Sequence, residues 1–214
     1  MPAPLIRGKF VILREMRDSD APAVVALRNQ PEVARWIADY EPLTVARHAA
    51  WFRAAQARRD ALFMLDTLDG TAFGTVSLYN FNPPRTITEL GRLCKQKGLG
   101  SLEMMQEGLY LTHRFGFERL GLTRIVANIS ADNHSSLRLA EFEGYVHEGL
   151  RRRHFHAPEG FRDVAELGLL DADFASRRGA IEALFYGQER PEFHATADEY
   201  AARLCGSSAP STSH

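Results

Sequence analysis

The sequence predicts a mixed α/β protein, with one open, mostly antiparallel sheet of about seven strands and helices packed on it. Three observations carry that expectation. β-rich runs and helical periodicities alternate in the order β-α-α-β-β-β-α-β-α-β-β. Asp69-Gly70 sits between two β-rich runs, a hairpin signal that makes neighbouring strands antiparallel. A chain of 214 residues, 45% hydrophobic and 25% charged, can bury one full core and requires no second domain.

The elements follow in order. KFVILRE (Lys9 to Glu15) is a short β-rich run, and RDSDAPAVVALRN after it carries capping residues, a proline suited to a first helical turn and an apolar stripe. PEVARWI and TVARHAAWFRAAQARR give two more helical stretches, the second with Val45, Ala49, Trp51 and Phe52 broadly on one side. LFMLDTLDGTAFGTVSLYNF is the hairpin, NPPR turns the chain, and TITELGRLC (Thr86 to Cys94) makes a third consecutive antiparallel strand. SLEMMQEGLYLTHRFGF is a central helix with Leu102, Met105, Leu109 and Thr112 on one face. TRIVANIS is a strand, DNHSSLRLAEFEGY a capped helix ending at Gly144, and VHEGLRRRHF with RDVAELGLL a closing strand pair. The expected organisation is a main domain over 1–173, a helical extension over 174–204 and a disordered tail over 205–214.

Bulk composition excludes several roles. With 26 basic against 27 acidic residues the net charge is −1, so no global field draws the chain to nucleic acid or to an anionic membrane. Cys94 and Cys205 match no metal or redox spacing, and no run approaches the length of a membrane span; a cytoplasmic protein is expected. His154 and His156 point to one side of a strand, but no Cys or carboxylate set accompanies them, so no metal is expected. Arg151 to Arg153 reads as a solvated strand surface.

The segment CKQKGLGS (Cys94 to Ser101) joins a strand to a helix through two glycines. The first N–H groups of a helix lack internal partners, so such a junction can hold an anion, and Gly98 and Gly100 permit positive φ and close backbone approach. Lys95 and Lys97 add local charge. A nucleotide P-loop would need GxxxxGK[ST], and a dinucleotide fingerprint would need a third glycine where Glu103 stands. Both of those patterns fail, and the remaining readings are a phosphate site or simply a tight turn.

The segment Phe10 to Leu170 resembles the Gcn5-related N-acetyltransferase (GNAT) superfamily, and within it the branch of the ribosomal-protein N-terminal acetyltransferases. KQKGLG (Lys95 to Gly100) matches both glycines of that family's [Q/R]xxGxG/A signature, ELG (Glu89 to Gly91) matches the preceding strand, and FERLGLTRIVANISADNHSSLRLAEFEGY matches its strand, Asn-containing loop and helix. The resemblance implies a sheet splayed between the fourth and fifth strands, and acetyl-CoA as acyl donor. Lys95, Gln96, Lys97, Gly98, Leu99, Gly100 and Ser101 would then hold the pyrophosphate, backbone around Leu93 the thioester oxygen, and Asn133 the pantetheine arm. Two departures stand out: the loop before Gly98 is short, and Ala140 occupies the place of the tyrosine that many relatives use as proton donor.

On this reading Glu89 is the general base, through a water, and Ser136 donates to the leaving thiolate, although a strand carboxylate and a helix-capping cluster would look the same. The acceptor is a primary amine: a protein N-terminus, an amino sugar or another small amine. Trp36, Trp51, Tyr79 and Phe81 fall in segments that would border it, with core packing the default for such aromatics. The alternatives are a non-catalytic acyl-CoA-binding or regulatory module, and an interaction protein whose C-terminal helices form a homodimer.

Overall fold

The structure is a computed structural model that describes residues 3–37, 41–157 and 160–206. Its strands are β1 (Ile6–Arg7), β2 (Val11–Glu15), β3 (Ala61–Thr67), β4 (Ala72–Tyr79), β5 (Ile87–Lys95), β6 (Arg124–Ser130), β7 (Val146–Ala157), β8 (Gly160–Leu170) and β9 (Glu192–Phe193). Its helices are α1 (Ala21–Arg28), α2 (Pro31–Ala34), α3 (Val45–Ala57), α4 (Leu102–Arg119), α5 (His134–Glu143), α6 (Asp171–Phe185) and α7 (Ala195–Cys205). Among the described residues the strands form one sheet in the order β7-β8-β6-β5-β4-β3-β2-β1-β9. The expected seven strands are present, and β1 and β9 add a two-residue pair at one edge, where Ile6 faces Phe193.

Local chemistry sets the element ends. Gly70, at φ +89, turns the β3–β4 hairpin. The Ser101 hydroxyl caps α4 by accepting from the Met104 amide at 3.3 Å. Asn133 caps α5 through its side-chain oxygen, 3.2 Å from the Ser136 amide, and Gly144 ends that helix in the left-handed region at φ +102.

Helices α1 and α3 cover one face of the sheet, and α4 to α7 cover the other. The larger core lies under α4, where Phe63, Phe115 and Tyr200 meet with ring centroids 5.3 to 6.0 Å apart. Phe174, Ile181, Phe185 and Leu204, from the segment expected to be an extension, belong to this same cluster. Of the tail expected over 205–214, Cys205 closes α7 and residues from 207 on lie outside the described residues.

Three expectations are corrected. PEVARWI forms only the single turn α2. Helix α3 buries His48, Phe52 and Ala55, whereas Val45 is exposed, because the His48 ring packs against Trp51 and Phe52 at 5.3 and 6.0 Å and so behaves as an aromatic core residue. On α4, Leu102 is exposed, and the helix is buried almost all round from Glu107 to Gly116. The fully buried Glu107 is tolerated because its carboxylate accepts from the amides of Lys9, Phe10 and Val11 at 2.7, 2.7 and 2.8 Å. Gly8 makes room for it, since a Cβ there would lie 2.6 Å from the carboxyl carbon.

Candidate active site

β5 and β6 form the parallel pair of the sheet, and their pairing is short: Ile87, Thr88 and Glu89 lie opposite Arg124, Ile125 and Val126. Beyond Glu89, β5 pairs with β4 alone and β6 continues beside β8. The two strands therefore part, leaving the β6-facing edge of β5 from Leu90 to Lys95 without a strand neighbour among the described residues. Parallel strands end at the same side of a sheet, so α4 and α5 start on the two arms of this opening.

A bulge shapes the β5 arm. Register with β4 shifts between Thr75 and Ser77, so that Arg92 and Leu93 together stand opposite Val76, and Arg92 takes φ +54. Thr75 pins the distortion: its hydroxyl donates to the Arg92 carbonyl at 2.9 Å and lies 3.1 Å from the Cys94 sulfur. Leu93 is half-buried at the bulge. Cys94 is buried, and burial pushes its thiol above the ordinary value, which agrees with a packing residue rather than a nucleophile.

The glycine loop follows. Gly98 and Gly100 both adopt positive φ, +76 and +82. At Gly100 a Cβ would lie 2.5 Å from the Phe73 ring, whereas at Gly98 it would meet open space. The loop is held from outside: Gln96 N–H donates to Phe73 O at 2.7 Å, Lys97 N–H donates to the Gln30 side-chain oxygen at 2.7 Å, and Lys95 Nζ donates to Gly100 O at 2.8 Å. Lys97 pairs with Glu32. The amides of Gly98, Gly100 and Leu102 have no acceptor among the described residues and end at an exposed helix start, whereas the Glu103 amide is paired with its own carboxylate. Of the lysine charge expected here, Lys97 is partly neutralised and Lys95 is engaged in shaping the loop. Gln30, which sequence inspection passes over as an ordinary residue beside a helix end, is the brace.

Glu89, at the last paired position before the strands part, is half-buried and accepts from the Tyr79 hydroxyl at 2.8 Å and from Asn80 Nδ2 at 3.0 Å. Tyr79 stands directly across from Glu89 and reaches it over Gly91, where a Cβ would lie 2.6 Å from the Tyr79 oxygen. Burial first, and the Glu89 carboxylate next, raise the Tyr79 phenol well above its ordinary value, so it stays a donor. Asn133 and Ser136 sit at the start of α5, both half-buried, with the Asn133 oxygen occupied by its cap. Ala140 is buried in the core.

Against the opposite sheet face, α1 and α3 enclose a cleft of about 250 Å³ lined in part by Arg28, Arg47, His48, Trp51, Thr75, Ser77 and Arg92. Because β4 and β5 are in register at Ser77–Gly91 and Tyr79–Glu89, Glu89 lies on the face that carries Ser77. Trp51 and Tyr79 are therefore not in the large core; the Arg92 guanidinium stacks on both, 5.0 and 3.9 Å from the ring centroids. Trp36 is stacked by Arg35 and Arg162, and Phe81 by Arg85. Among the described residues no group of three or more His, Cys, Asp or Glu side chains is placed to hold a metal, and no helix is long and apolar enough to cross a membrane.

A strand pair that opens toward a glycine-rich helix start is the arrangement of an acyl-CoA-dependent transferase. The family model described as "Acetyltransferase (GNAT) domain" matches residues 11–146, and the chain belongs to that family. It is an acetyl-CoA-dependent N-acetyltransferase. Over 146 residues it is 30% identical to the "Putative phosphinothricin acetyltransferase YwnH" of Bacillus subtilis (strain 168), covering 64% of this chain and 85% of that protein. Among solved structures, a GCN5-related N-acetyltransferase from Brucella melitensis superposes with a TM-score of 0.71 at 21% identity, covering 94% of this chain and 95% of the other. The spermidine N-acetyltransferase from Vibrio cholerae, in complex with CoA and spermine, has a TM-score of 0.68 at 18% identity and covers 77% of this chain and 98% of the other.

Proposed function

We propose that this enzyme acetylates a primary amine by direct attack in a ternary complex, without a covalent enzyme intermediate. The loop from Lys95 to Ser101 grips the diphosphate of acetyl-CoA, chiefly through the amides of Gly98 and Gly100 and the open turn of α4. Gln96 and Leu99 shape that loop, main chain around Leu93 receives the thioester oxygen, and Asn133 holds the pantetheine arm through the amide nitrogen that its capping role leaves available. Glu89 takes the proton from the attacking nitrogen, through a water. As the carbon–nitrogen bond forms and the carbon–sulfur bond breaks, the Ser136 hydroxyl hydrogen-bonds the departing thiolate, which takes up a proton from water while Glu89 returns its own to water, so that amide and free thiol leave. A protein N-terminal amine, an amino sugar and other small amines are all acceptors within this reading.

The observation that carries it is the parting of β5 and β6 immediately after Glu89, which sets the acid-bearing position beside a main-chain edge with no strand partner. The test is thiol release from acetyl-CoA across a panel of amines, with coenzyme affinity measured separately by calorimetry. Glu89→Gln and Ser136→Ala are each expected to lower kcat roughly tenfold to a hundredfold, with positioning carrying much of the remaining rate. Coenzyme affinity should stay unchanged. Wild-type kcat in both variants overturns these assignments.

A further inference from the structure

The cleft between α1, α3 and the β4–β5 face holds a concentration of unused polar groups that the transfer chemistry does not explain. His48 Nε2 and Ser77 Oγ are buried atoms without a hydrogen-bond partner among the described residues, Arg92 Nη1 has only a long 3.5 Å ion-pair contact with Asp60, and all three residues line this one cleft. His48 and Ser77 are each 1% exposed, so water does not easily satisfy them. Such groups are costly to bury unless something polar arrives to pair with them.

The charge of the cleft says what arrives. Arg28, Arg47 and Arg92 line it, and no Asp or Glu does. Arg47 is spent on Glu41 at 2.8 Å. Arg92 Nη1 lies 3.5 Å from Asp60 Oδ2, an oxygen that already accepts from Arg58 at 2.9 Å. Arg28 shows no ion pair or hydrogen bond among the described residues, and its charge is felt at His48, Tyr79, Arg92 and Cys94. The Arg28 charge opposes that of Arg92, and His48 is held below its ordinary pKa by burial first and by Arg28 next, against the opposing pull of Asp18 and Asp20, so the imidazole stays neutral and adds no further positive charge. A polycationic acceptor would worsen this balance, whereas an oxyanion resolves it, since guanidinium forks match carboxylates.

We propose that the acceptor is a small amine that also bears a carboxylate or a similar oxyanion, received by Arg28 and Arg92, with His48 and Ser77 each supplying one hydrogen bond. The anionic end is then anchored on the α1 side while the amine projects along the same sheet face toward Glu89. This rests on the transferase reading above and specifies its substrate class.

The experiment pairs amino acids with their carboxamides: L-alanine, L-methionine, L-phenylalanine and L-glutamate, each against the amide, with 1,4-diaminobutane as a dication. The amide's amine is less basic, so at neutral pH more of it is unprotonated, and a preference for the acid cannot come from nucleophile availability. At least one acid is expected to exceed its amide by about tenfold or more in kcat/KM. Arg28→Gln should abolish that preference through the acceptor KM, Arg28→Lys should restore part of it, and the acetyl-CoA KM should not move in either. The proposal is overturned if no acid outpaces its amide, if the dication is preferred, or if Arg28→Gln raises the acetyl-CoA KM instead. Should no amine be turned over at all, the transferase assignments fail separately. The anion site is then read by thermal shift: stabilisation by the acids that Arg28→Gln removes upholds it, and no stabilisation by any acid overturns it.

Discussion

The Thr75 hydroxyl donates to the Arg92 carbonyl at 2.9 Å, across a bulge where this non-glycine residue stands at φ +54 in the middle of a strand. A left-handed arginine costs roughly 1–2 kcal/mol, so the bulge persists only because its neighbours over-determine it. The Arg92 side chain lies over Tyr79 and Trp51 at this bulge, and Leu93 shares the position opposite Val76 with it.

Thr75→Val keeps the shape and removes the hydroxyl. The Arg92 carbonyl then loses its partner, and stability should fall by about 1–2 kcal/mol in urea titration. Relaxation of the bulge should lower kcat more than it weakens coenzyme binding, and Thr75→Ser should preserve both. Unchanged kcat in the valine variant would show that the bulge is only a packing feature.

The two loop glycines separate backbone strain from steric conflict. Gly98→Ala meets open space and carries only the penalty of positive φ, about 1 kcal/mol, whereas Gly100→Ala adds a clash 2.5 Å from Phe73. Coenzyme A affinity by calorimetry should therefore drop in both, with Gly100→Ala the more severe and also the less stable by thermal melting. Equal affinities in all three proteins would remove the loop from the coenzyme site.

A pH effect arises far from the chemistry. His113 lies buried between Glu143 and Tyr145, 3.0 Å from each, and burial pushes the Glu143 carboxyl above the usual carboxylate range despite the opposing histidine. A raised value means that the native protein holds a proton which the unfolded chain has released, so stability is fully present below the ordinary carboxylate pKa and is lost as pH rises through the raised one. Glu143→Gln deletes that titration. Urea midpoints followed over that window should fall with rising pH more steeply in the wild type than in the variant, and parallel profiles would refute the effect.

Much of this architecture is legible from residue patterns. Asp69-Gly70 specifies a hairpin because positive φ is cheap at glycine, and Asn133 with Gly144 bounds α5 because caps are satisfied within a few residues. Gly98 and Gly100 can be singled out at their strand-to-helix junction for the same reason, whereas Glu89 is indicated only by the family resemblance. Residue type misstates its surroundings at two positions: His48 counts as polar yet packs as a ring, and Leu102 counts as apolar yet stands on the open first turn of α4. Tyr79 could have been paired with Glu89 by counting back through the NPPR turn. Gln30 carries no such signal, since nothing near it in the chain indicates the loop it braces.

Acting alone, the amino-acid order determined which segments become strands and helices and where a glycine-rich strand-to-helix turn sits, because caps, turns and periodicity act over a few neighbouring residues. It did not determine that Arg28, His48, Ser77 and Arg92 share one cleft, or that β7 passes β8 to become the edge. Those were decided by the packing of α1 and α3 on the β4–β5 face and by β8 taking the place beside β6. Such contacts join distant parts of the chain through burial and charge, which no local pattern records.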